Sequence, residues 1–509
     1  MFNKLNKNWI KYIVRITLLR NFSNLKKVAL VGSGPTSFYI AQSLLKRNDK
    51  IKVDMYEKSI APFGLVRYGV APDHEDVKNV INTFKQVTKN PNFSYYGNIN
   101  IGYDLEIKQL KSAYDAVVLA IGASIDKKLN IPGEDLKNVL GSKDIVGWYN
   151  GNPGSSEIIK SLDMDTVSVI GIGNVSLDVA RILLSPIERL KNTDVPESVI
   201  EVLSKSRIER VKIISRRGPL QVSFTLKEFR ELSNLINMPQ DQKLPISFLP
   251  QNIIYDCISS DKESWNSFVH NLPRPKMRII NFMEKVYQDS RQIAQSQRGC
   301  EVHFLKSPKA IISSTSDKDS CGGLILINNS LIGEPSLDQK IASENENTEK
   351  IDCGMVIKCL GYRVVELPEV PYDYKRGTIA CQDDFGRVQG WQTTLEKYNC
   401  AFYSSGWAQK GAHGVIVNSG IDGKNTAEVI LEDFSEYAKT FDNNKQGFPM
   451  IKRILEEKNV KFTSFQDWEK INLEETKAGS ELGKPREKVT SSKKMMEIIF
   501  SEAVNAREK

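Results

Sequence analysis

Two stretches of this sequence share one strand–turn–helix pattern, and this repeat constrains the fold more than any other feature. The first is Val28 to Ala41 (VALVGSGPTSFYIA), in which an apolar strand precedes Gly32, Ser33 and Gly34 and a helical pattern follows. Gly32 permits a tight turn, and Gly34 lets the backbone approach a pyrophosphate at the helix N-terminus. The pattern predicts a dinucleotide-binding site, although Ser37 replaces the third glycine of the usual motif.

The next predicted strand, Ile51 to Glu57, ends in a carboxylate. Glu57 lies 23 residues beyond Gly34, close to the separation of about 20 residues at which an acid reaches a ribose hydroxyl. A carboxylate there would repel a 2′-phosphate, so the first nucleotide is predicted to be FAD or NAD and not NADP. The alternative interpretation is an ordinary surface glutamate at a strand end.

The second copy of the pattern is Thr166 to Leu184 (TVSVIGIGNVSLDVARILL), with Gly171, Gly173 and again a serine, Ser176, in the third position. A glycine turn between a strand and a helix is weak evidence alone, because such turns are common at the ends of strands and helices. Two copies in one chain are much stronger evidence. They predict two dinucleotide-binding sites.

The strand after the second glycine turn, Val211 to Ser215, is followed by Arg216 and Arg217 instead of an acid. Two guanidinium groups can bind a 2′-phosphate through bidentate, charge-assisted hydrogen bonds. The second site is therefore predicted to take NADP(H) in preference to NAD(H). A solvated arginine pair at a strand end is the alternative.

The distribution of charge argues against nucleic acid as a partner. The chain of 509 residues, long enough for two to four domains, has a formal charge of +8, and residues 1–27 hold seven basic residues and no acid. Several of these bases are spaced as on one face of a helix. An amphipathic, basic, acid-free N-terminus is typical of a mitochondrial targeting peptide, and the sequence around Phe22 suggests its cleavage site. A basic tail and a signal peptide are the alternatives.

The sequence contains no apolar run of the roughly 18 to 20 residues that a membrane helix needs. Cysteine spacing is irregular, and no CxxC pair occurs, which predicts reduced thiols and no redox-active disulfide, iron–sulfur or zinc site. The four histidines show no metal-ligand spacing. The cysteines are Cys257, Cys300, Cys321, Cys353, Cys359, Cys381 and Cys400.

Two further segments are predicted to lack regular structure. Residues 62–74 (PFGLVRYGVAPDH) are rich in glycine and proline and are expected to form a long loop of the kind that carries functional residues. Residues 313–350 turn to serine, aspartate, asparagine, glutamate and lysine. This composition predicts a partly disordered surface insertion with no chemistry of its own.

The order of motifs resembles the mitochondrial NADPH:adrenodoxin (ferredoxin) oxidoreductase family. The resemblance covers roughly residues 27–434 and 465–488, and its most specific elements are PFGLVRYGVAPDH and SRRGPLQVSFT. It implies an α/β flavoenzyme of two Rossmann-like domains, with the NADP domain inserted into the FAD domain. The implied boundaries are a presequence at 1–27, the FAD domain at 28–125 and 363–509, and the NADP domain at 126–362.

The resemblance also implies site residues. FAD would contact Gly32, Gly34, Pro35, Thr36, Glu57, Leu65, Ile101, Trp407, Gly414, Val415 and Ile416. NADP(H) would contact Ile172, Gly173, Asn174, Val175, Arg216, Arg217, Glu228 and Gly414. The polar residues expected around the active site are His74, Asp178 and Glu228, and no metal ligand is expected. The chain departs from the family at Gln409 to His413 and at Val417 to Ser419, beside the expected flavin position.

The implied activity is hydride transfer from NADPH to FAD, followed by single-electron transfer to a small acidic [2Fe-2S] ferredoxin. Arg274 and Arg278 align with the partner-contacting arginines of the family. The implied protein is a monomer of the mitochondrial matrix without a transmembrane segment, with peripheral association at the inner membrane left open. The alternatives are another NADPH flavoenzyme, such as a monooxygenase or diaphorase, and a non-catalytic dinucleotide-binding protein.

Overall fold

A computed structural model describes residues 25–155, 157–237, 244–251, 253–256, 262–291, 298–441 and 445–505. Residues 1–24 of the expected presequence, with its cleavage site, and Cys257 lie outside the described residues. The strands are β1 (Lys26–Val31), β2 (Ile51–Tyr56), β3 (Phe93–Tyr96), β4 (Ala116–Leu119), β5 (Ile125–Asp126), β6 (Val139–Gly141), β7 (Thr166–Ile170), β8 (Arg210–Ile214), β9 (Ile246–Leu249), β10 (Gly299–His303), β11 (Lys306–Ser313), β12 (Cys321–Ile332), β13 (Lys340–Asp352), β14 (Met355–Lys358), β15 (Tyr362–Arg363), β16 (Tyr372–Asp373), β17 (Thr378–Ile379) and β18 (Ala401–Ser404).

The helices are distributed along the whole described chain. They are α1 (Pro35–Arg47), α2 (Leu65–Tyr68), α3 (Glu75–Lys78), α4 (Val80–Val87), α5 (Ile107–Ala113), α6 (Ser142–Tyr149), α7 (Asn174–Leu184), α8 (Ile187–Lys191), α9 (Glu197–Ser204), α10 (Leu226–Ser233), α11 (Ile253–Asp256), α12 (Lys262–His270), α13 (Arg274–Arg291), α14 (Trp391–Tyr398), α15 (Trp407–Lys410), α16 (Ile416–Glu436), α17 (Phe448–Glu457), α18 (Phe465–Glu481) and α19 (Ser492–Asn505). Short 3₁₀ helices cover Pro219–Gln221 and Asn234–Asn237. Among the described residues, none of these helices has the length and apolar character needed to cross a bilayer.

The first sheet is parallel, has the order β18-β4-β1-β2-β3, and takes strands from both ends of the described chain. Residues 28–31 of its central strand β1 are all apolar because both faces of the sheet are buried there. Val28 and Leu30 enter one hydrophobic core, whereas Ala29 and Val31 enter another. This arrangement explains why the sequence of β1 does not alternate between apolar and polar residues.

The second sheet is also parallel, with the order β6-β14-β7-β8-β10-β9. All its strands lie between β4 and β18 in the sequence, so this sheet is an insertion within the unit built on the first sheet. The α/β architecture with two Rossmann-like units, predicted from the repeated glycine pattern, is thereby confirmed. Each predicted glycine turn lies at the carboxyl end of a central strand, β1 or β7.

The expectation of a partly disordered insertion at residues 313–350 was wrong. Strands β11, β12 and β13 form an antiparallel sheet that includes most of this segment. Leu324 and Leu326 of β12 are fully buried. The sequence did not predict β13 as a strand because it is rich in polar residues. An edge strand can carry charged side chains on its solvated face.

Candidate functional site: two dinucleotide cradles and the cluster between them

The first glycine turn has the geometry that a dinucleotide requires. Gly32 has a φ of +99°, and a Cβ there would lie 2.4 Å from the carbonyl oxygen of Ala120. In contrast, a Cβ on Gly34 would meet no atom within 4 Å. Gly34 is the N-cap of α1, so its backbone borders open space at the helix N-terminus, where a pyrophosphate is stabilised. The turn therefore fits the adenine dinucleotide FAD.

Glu57 follows β2 and is almost fully buried, at 8% exposed. Its Oε2 accepts hydrogen bonds from the Ser33 backbone N–H (2.9 Å) and the Ser33 hydroxyl (2.8 Å), and its Oε1 accepts one from the Ser59 N–H (2.9 Å). The carboxylate thus fixes the glycine turn, and a carboxylate retains further acceptor capacity for a ribose hydroxyl. This position excludes the interpretation of Glu57 as an ordinary surface side chain.

The carboxy-terminal part of the chain packs over the first cradle. A Cβ on Gly406 would lie 2.3 Å from the Thr36 Oγ1, and one on Gly423 of α16 would lie 2.8 Å from the Thr36 carbonyl oxygen. These two glycines let the segment after β18 and helix α16 approach α1 closely. The structure therefore brings residues 407–416, expected near FAD, to the same cradle as Gly32 and Gly34.

The departures from the family pattern have clear structural roles. Gln409 donates a hydrogen bond to the carbonyl oxygen of Asp384 (3.0 Å), and Lys410 forms an ion pair with Asp422. The Oδ1 of Asn418 accepts the backbone N–H of Val415 (3.0 Å) at the start of α16. Gln409 and Lys410 are thus used in contacts with neighbouring protein groups, and Asn418 stabilises the turn at Gly414.

The second cradle repeats the first at the end of β7. Gly171 has a φ of +119°, and a Cβ there would lie 2.3 Å from the carbonyl oxygen of Cys359. The Asn174 Oδ1 accepts the Thr225 backbone N–H (2.7 Å), while the Ser223 hydroxyl donates to the Ile172 carbonyl oxygen (2.9 Å). The loop expected to hold the NADP pyrophosphate is therefore braced by the segment that follows the arginine pair.

Arg216 and Arg217 follow β8, as the sequence predicts. Arg216 is exposed and Arg217 is partly exposed. Within the described part of the chain neither guanidinium forms an ion pair, whereas the carboxylate of Glu57 in the first cradle accepts three hydrogen bonds. Glu228 of α10 has a buried Oε2 without a partner among the described groups, which leaves an acceptor for a ribose hydroxyl. These residues fit NADP(H).

Residues 62–74 were expected to form a loop, but Leu65–Tyr68 within them form the short helix α2. A buried ionic cluster joins the end of this segment to helix α7. The fully buried Arg181 donates two hydrogen bonds of 2.8 Å to the carboxylate of Asp73 and one of 2.8 Å to Asp178. His74 bonds to Glu231 of α10 and lies 3.1 Å from the Arg181 Nη2. The structure thus brings the predicted His74 and Asp178 together through Arg181.

The electrostatics of the cluster depend on burial and on these partners. Burial raises the pKa of Asp178 to about 6, although the charges of Arg181 and His74 oppose this shift. Burial disfavours the His74 imidazolium, yet the hydrogen bond to Glu231, aided by the charges of Asp178 and Asp73, raises the pKa of His74 above its ordinary value. The cluster can therefore hold a proton on His74 at the junction of the two sheets.

Sequence reasoning missed three members of this cluster: Asp73, Arg181 and Glu231. It placed Glu228 with His74, but the residue that contacts His74 is Glu231, one helical turn further along α10. The i, i+3 spacing of Asp178 and Arg181 on one helix was the available signal for their contact.

The predicted partner-binding arginines lie at the start of α13. Arg274 and Arg278 are exposed and are four residues apart, which places them on one face of the helix. Lys276 differs from them, since its ammonium group donates to the carbonyl oxygen of Val222 (2.7 Å). Arg230 of α10 lies over the ring of Phe282, one turn beyond Arg278, and extends the basic surface.

Comparison with known proteins gives relatives that cover nearly the whole chain. Residues 26–231 match the pyridine nucleotide-disulphide oxidoreductase family. The mitochondrial NADPH:adrenodoxin oxidoreductase of Salvelinus fontinalis is 38% identical over 479 residues, which is 93% of this chain and 91% of that protein. The Bos taurus protein of the same name is 36% identical over 483 residues, 93% of this chain and 92% of that protein.

A solved structure shows the same architecture. Mycobacterium tuberculosis FprA in complex with NADPH superimposes with a TM-score of 0.82 at 30% identity, covering 93% of this chain and 99% of that chain. The similarity therefore includes both sheets and both cradles.

Proposed function

This chain belongs to the mitochondrial NADPH:adrenodoxin oxidoreductase family, and from that premise we propose its partner, its site residues and its place in the cell. It is an FAD- and NADP(H)-dependent oxidoreductase that passes electrons from NADPH to ferredoxin. The proposed acceptor is a small acidic [2Fe-2S] ferredoxin of the adrenodoxin type in the mitochondrial matrix.

One observation carries the assignment of the two cofactors to the two cradles. The first cradle ends in the buried carboxylate of Glu57, which accepts three hydrogen bonds, while the second ends in Arg216 and Arg217, whose guanidinium groups form no ion pair with the described residues. A carboxylate repels a 2′-phosphate, and arginine binds one in bidentate fashion. FAD is therefore assigned to the first cradle and NADP(H) to the second.

Bound FAD supplies the conversion between two-electron and one-electron chemistry. The protein binds and orients the cofactors and shields them from solvent. Gly32 and Gly34 admit the pyrophosphate, and the segment from Trp407 to Ile416 covers the flavin side of the first cradle. We assign Pro35, Thr36, Leu65 and Ile101 to FAD contacts and Ile172, Gly173, Asn174, Val175 and Glu228 to NADP(H) contacts.

The buried cluster is proposed to fix the approach of the two cofactors. Arg181 holds Asp73, in the loop from the FAD side, against α7, which begins at the NADP pyrophosphate. His74 lies in the same contact and carries a raised pKa because Glu231 accepts its hydrogen bond. His74 and Asp178 are thus proposed to be active-site residues that hold a proton and set the relative position of the two units.

The ferredoxin is proposed to dock on the basic surface formed by Arg230, Arg274 and Arg278. All three residues are exposed, and Arg230 lies over the ring of Phe282, which belongs to the same helix as Arg274 and Arg278. Basic surfaces of this kind accelerate encounter with an acidic partner and make binding sensitive to salt. We propose that the protein acts as a monomer, because one chain contains both cradles and the docking surface.

Reconstitution of electron transfer tests the proposal. The purified full chain should be yellow and should reduce cytochrome c with NADPH only when a [2Fe-2S] ferredoxin is present, and the rate should fall as salt rises. Arg274→Ala with Arg278→Ala should slow this reaction but leave ferricyanide reduction unchanged. The control pair Lys452→Ala with Lys493→Ala removes two exposed charges from other helices and should have no effect.

Two results would contradict the proposal. Ferredoxin-independent cytochrome c reduction would remove the proposed partner and favour a diaphorase. A colourless protein that binds nucleotides without turnover would indicate a non-catalytic binding protein.

A further inference from the structure

We propose that the hairpin formed by β12 and β13 positions the arginine pair for the 2′-phosphate, and that Asn329 and Gln221 are the positioning residues that set the preference for NADPH over NADH. The inference rests on the proposed binding of the 2′-phosphate by Arg216 and Arg217. It assigns a role to the segment whose composition predicted none.

Asn329 of β12 is the first contact between the hairpin and the arginine pair. Its side chain is buried, at 5% exposed, and its Nδ2 donates to the carbonyl oxygen of Arg216 (3.0 Å) and to the Ser307 hydroxyl (2.8 Å). Its Oδ1 accepts the Ser343 hydroxyl of β13 (2.9 Å). The amide group therefore ties the backbone of Arg216 to β11, β12 and β13 at once.

Gln221 makes the second contact, on the other side of the pair. Its Oε1 accepts the backbone N–H of Gly218 (3.1 Å), and its Nε2 donates to the carbonyl oxygen of Ser336 at the hairpin tip (2.6 Å). The Nε2 also lies 3.3 Å from the Oε1 of Gln339, whose own Nε2 donates to the Gly333 carbonyl oxygen (2.9 Å). Asn329, near the end of β12, and the turn between β12 and β13 thus hold the two ends of the segment Arg216–Gly218.

The arrangement matters because the guanidinium groups have no protein partner among the described residues that would orient them. Their placement depends on the main chain of residues 216–218, which lies beyond the end of β8. Bidentate recognition of a phosphate requires a fixed donor geometry, and small displacements are costly. A hairpin that fixes this main chain should therefore affect the 2′-phosphate and leave the rest of the nucleotide unaffected.

Nucleotide binding distinguishes a role in positioning the arginine pair from a general role in stabilising the fold. The probes are 2′,5′-ADP, which carries a 5′- and a 2′-phosphate, and 5′-AMP, which lacks only the 2′-phosphate, each titrated into the flavin-loaded full chain by calorimetry. For Asn329→Leu and for Gln221→Met, we expect the Kd for 2′,5′-ADP to rise about 5- to 20-fold. The Kd for 5′-AMP should change less than about twofold, since it has no 2′-phosphate for the arginine pair to bind.

Gln221→Met keeps the test decisive if Asn329→Leu fails to fold, because Gln221 is only partly buried. Asn328→Leu is the matched control: it is the adjacent residue of the same strand, it bonds to Lys306, and it makes no hydrogen bond to the arginine pair. This control should leave both dissociation constants unchanged.

Equal losses for both probes, or no loss for either, in Gln221→Met would overturn the inference. The double variant Arg216→Ala with Arg217→Ala distinguishes this failure from failure of the proposed function. If the double variant loses 2′,5′-ADP and Gln221→Met does not, only the positioning role is wrong. If the double variant binds 2′,5′-ADP normally, the assigned phosphate site itself is wrong.

Discussion

The two cradles have the same strand–turn–helix backbone, but different residues surround it. In the first, Glu57 is buried and bonded to the glycine turn, and Gly406 and Gly423 bring a second part of the chain against Thr36. In the second, Arg216 is exposed and its guanidinium is unpaired within the described residues. A second part of the chain thus packs against the helix of the first site, while Arg216 of the second site faces solvent.

This difference matches the two tasks of the enzyme. A resident cofactor benefits from a site that several chain segments enclose, because enclosure slows its release. A substrate that must leave in every cycle requires an accessible site whose affinity comes from a few strong contacts. The same strand–turn–helix unit thus serves both purposes. The residue that follows the next strand, Glu57 after β2 or Arg216 after β8, and the segment that packs over the first cradle determine whether the site holds a resident cofactor or an exchanging substrate.

The largest expected effect comes from removing the charges that distinguish the second cradle. Arg216→Ala with Arg217→Ala should lower kcat/KM for NADPH by a factor of about 100 or more, since each arginine contributes at least one charge-assisted hydrogen bond of roughly 1.5–3 kcal/mol. The value for NADH should change less than about twofold, and the flavin absorbance should be retained. Stopped-flow measurement of flavin reduction by each nucleotide provides both numbers.

Arg207→Ala is the control for this charge removal. Arg207 precedes β8, at the opposite end of the strand from the pair, and is exposed beside Asp163 and Asp165. It should leave both nucleotides unaffected. Equal losses for NADPH and NADH in the double variant would show that the second cradle does not discriminate the 2′-phosphate.

A smaller effect should follow from adding one methyl group to each glycine turn. Gly32→Ala and Gly171→Ala both place a Cβ within 2.4 Å of a carbonyl oxygen at a positive φ, a strain of about 1–3 kcal/mol each. Gly32→Ala should lower the flavin content of the purified protein. Gly171→Ala should keep the flavin and weaken the binding of NADPH and NADH equally, because the strained loop holds the pyrophosphate that both nucleotides contain.

Gly154→Ala is the control for the alanine substitutions, since its Cβ would meet no atom within 4 Å and its φ is not in the left-handed region. It should retain both flavin and nucleotide binding. If Gly171→Ala released the flavin as readily as Gly32→Ala, the two cradles would not be functionally separate.

Much of this arrangement could be predicted from the sequence because it depends on local chemistry. Glycine turns, apolar strands and the residue after each second strand are properties of short segments, so Gly32, Glu57, Gly171 and Arg216 were all found directly. Contacts between distant segments carry no such signal. Asp73 and Arg181, which are 108 residues apart, meet only because the two sheets pack together.

The insertion shows a second limit. Polar composition predicts disorder when a segment has nothing to pack against. The buried side chains of β12, including Leu324 and Leu326, alternate with less buried neighbours such as Ile325, while β13 completes the sheet at its edge. Pairing between these strands compensates for the polarity of β13, and the sequence of β13 alone does not reveal its partner.

The smallest expected effect concerns the cluster that joins the two cradles. The pKa of His74 is raised in the folded protein, mainly because its bond to Glu231 outweighs the effect of burial. Its stabilisation is therefore fully present below about pH 6.5, the ordinary pKa of histidine, and is lost as pH rises through the raised value. Asp178 has a pKa of about 6, so it is already ionised above pH 6.5 and contributes little to the change in stability there.

The prediction is that the Tm of Glu231→Gln changes between about pH 6.5 and 8.5 with a less negative slope than the Tm of the wild-type protein, because the variant lacks the partner that raises the pKa of His74. Glu301→Gln is the matched control, because Glu301 bonds to His303 within the second sheet and does not join the two units. It should leave the wild-type slope intact. A slope unchanged by Glu231→Gln would mean that the contact between the cradles does not depend on the charge of His74, and that the ion pair of Arg181 with Asp73 holds the units together across this pH range.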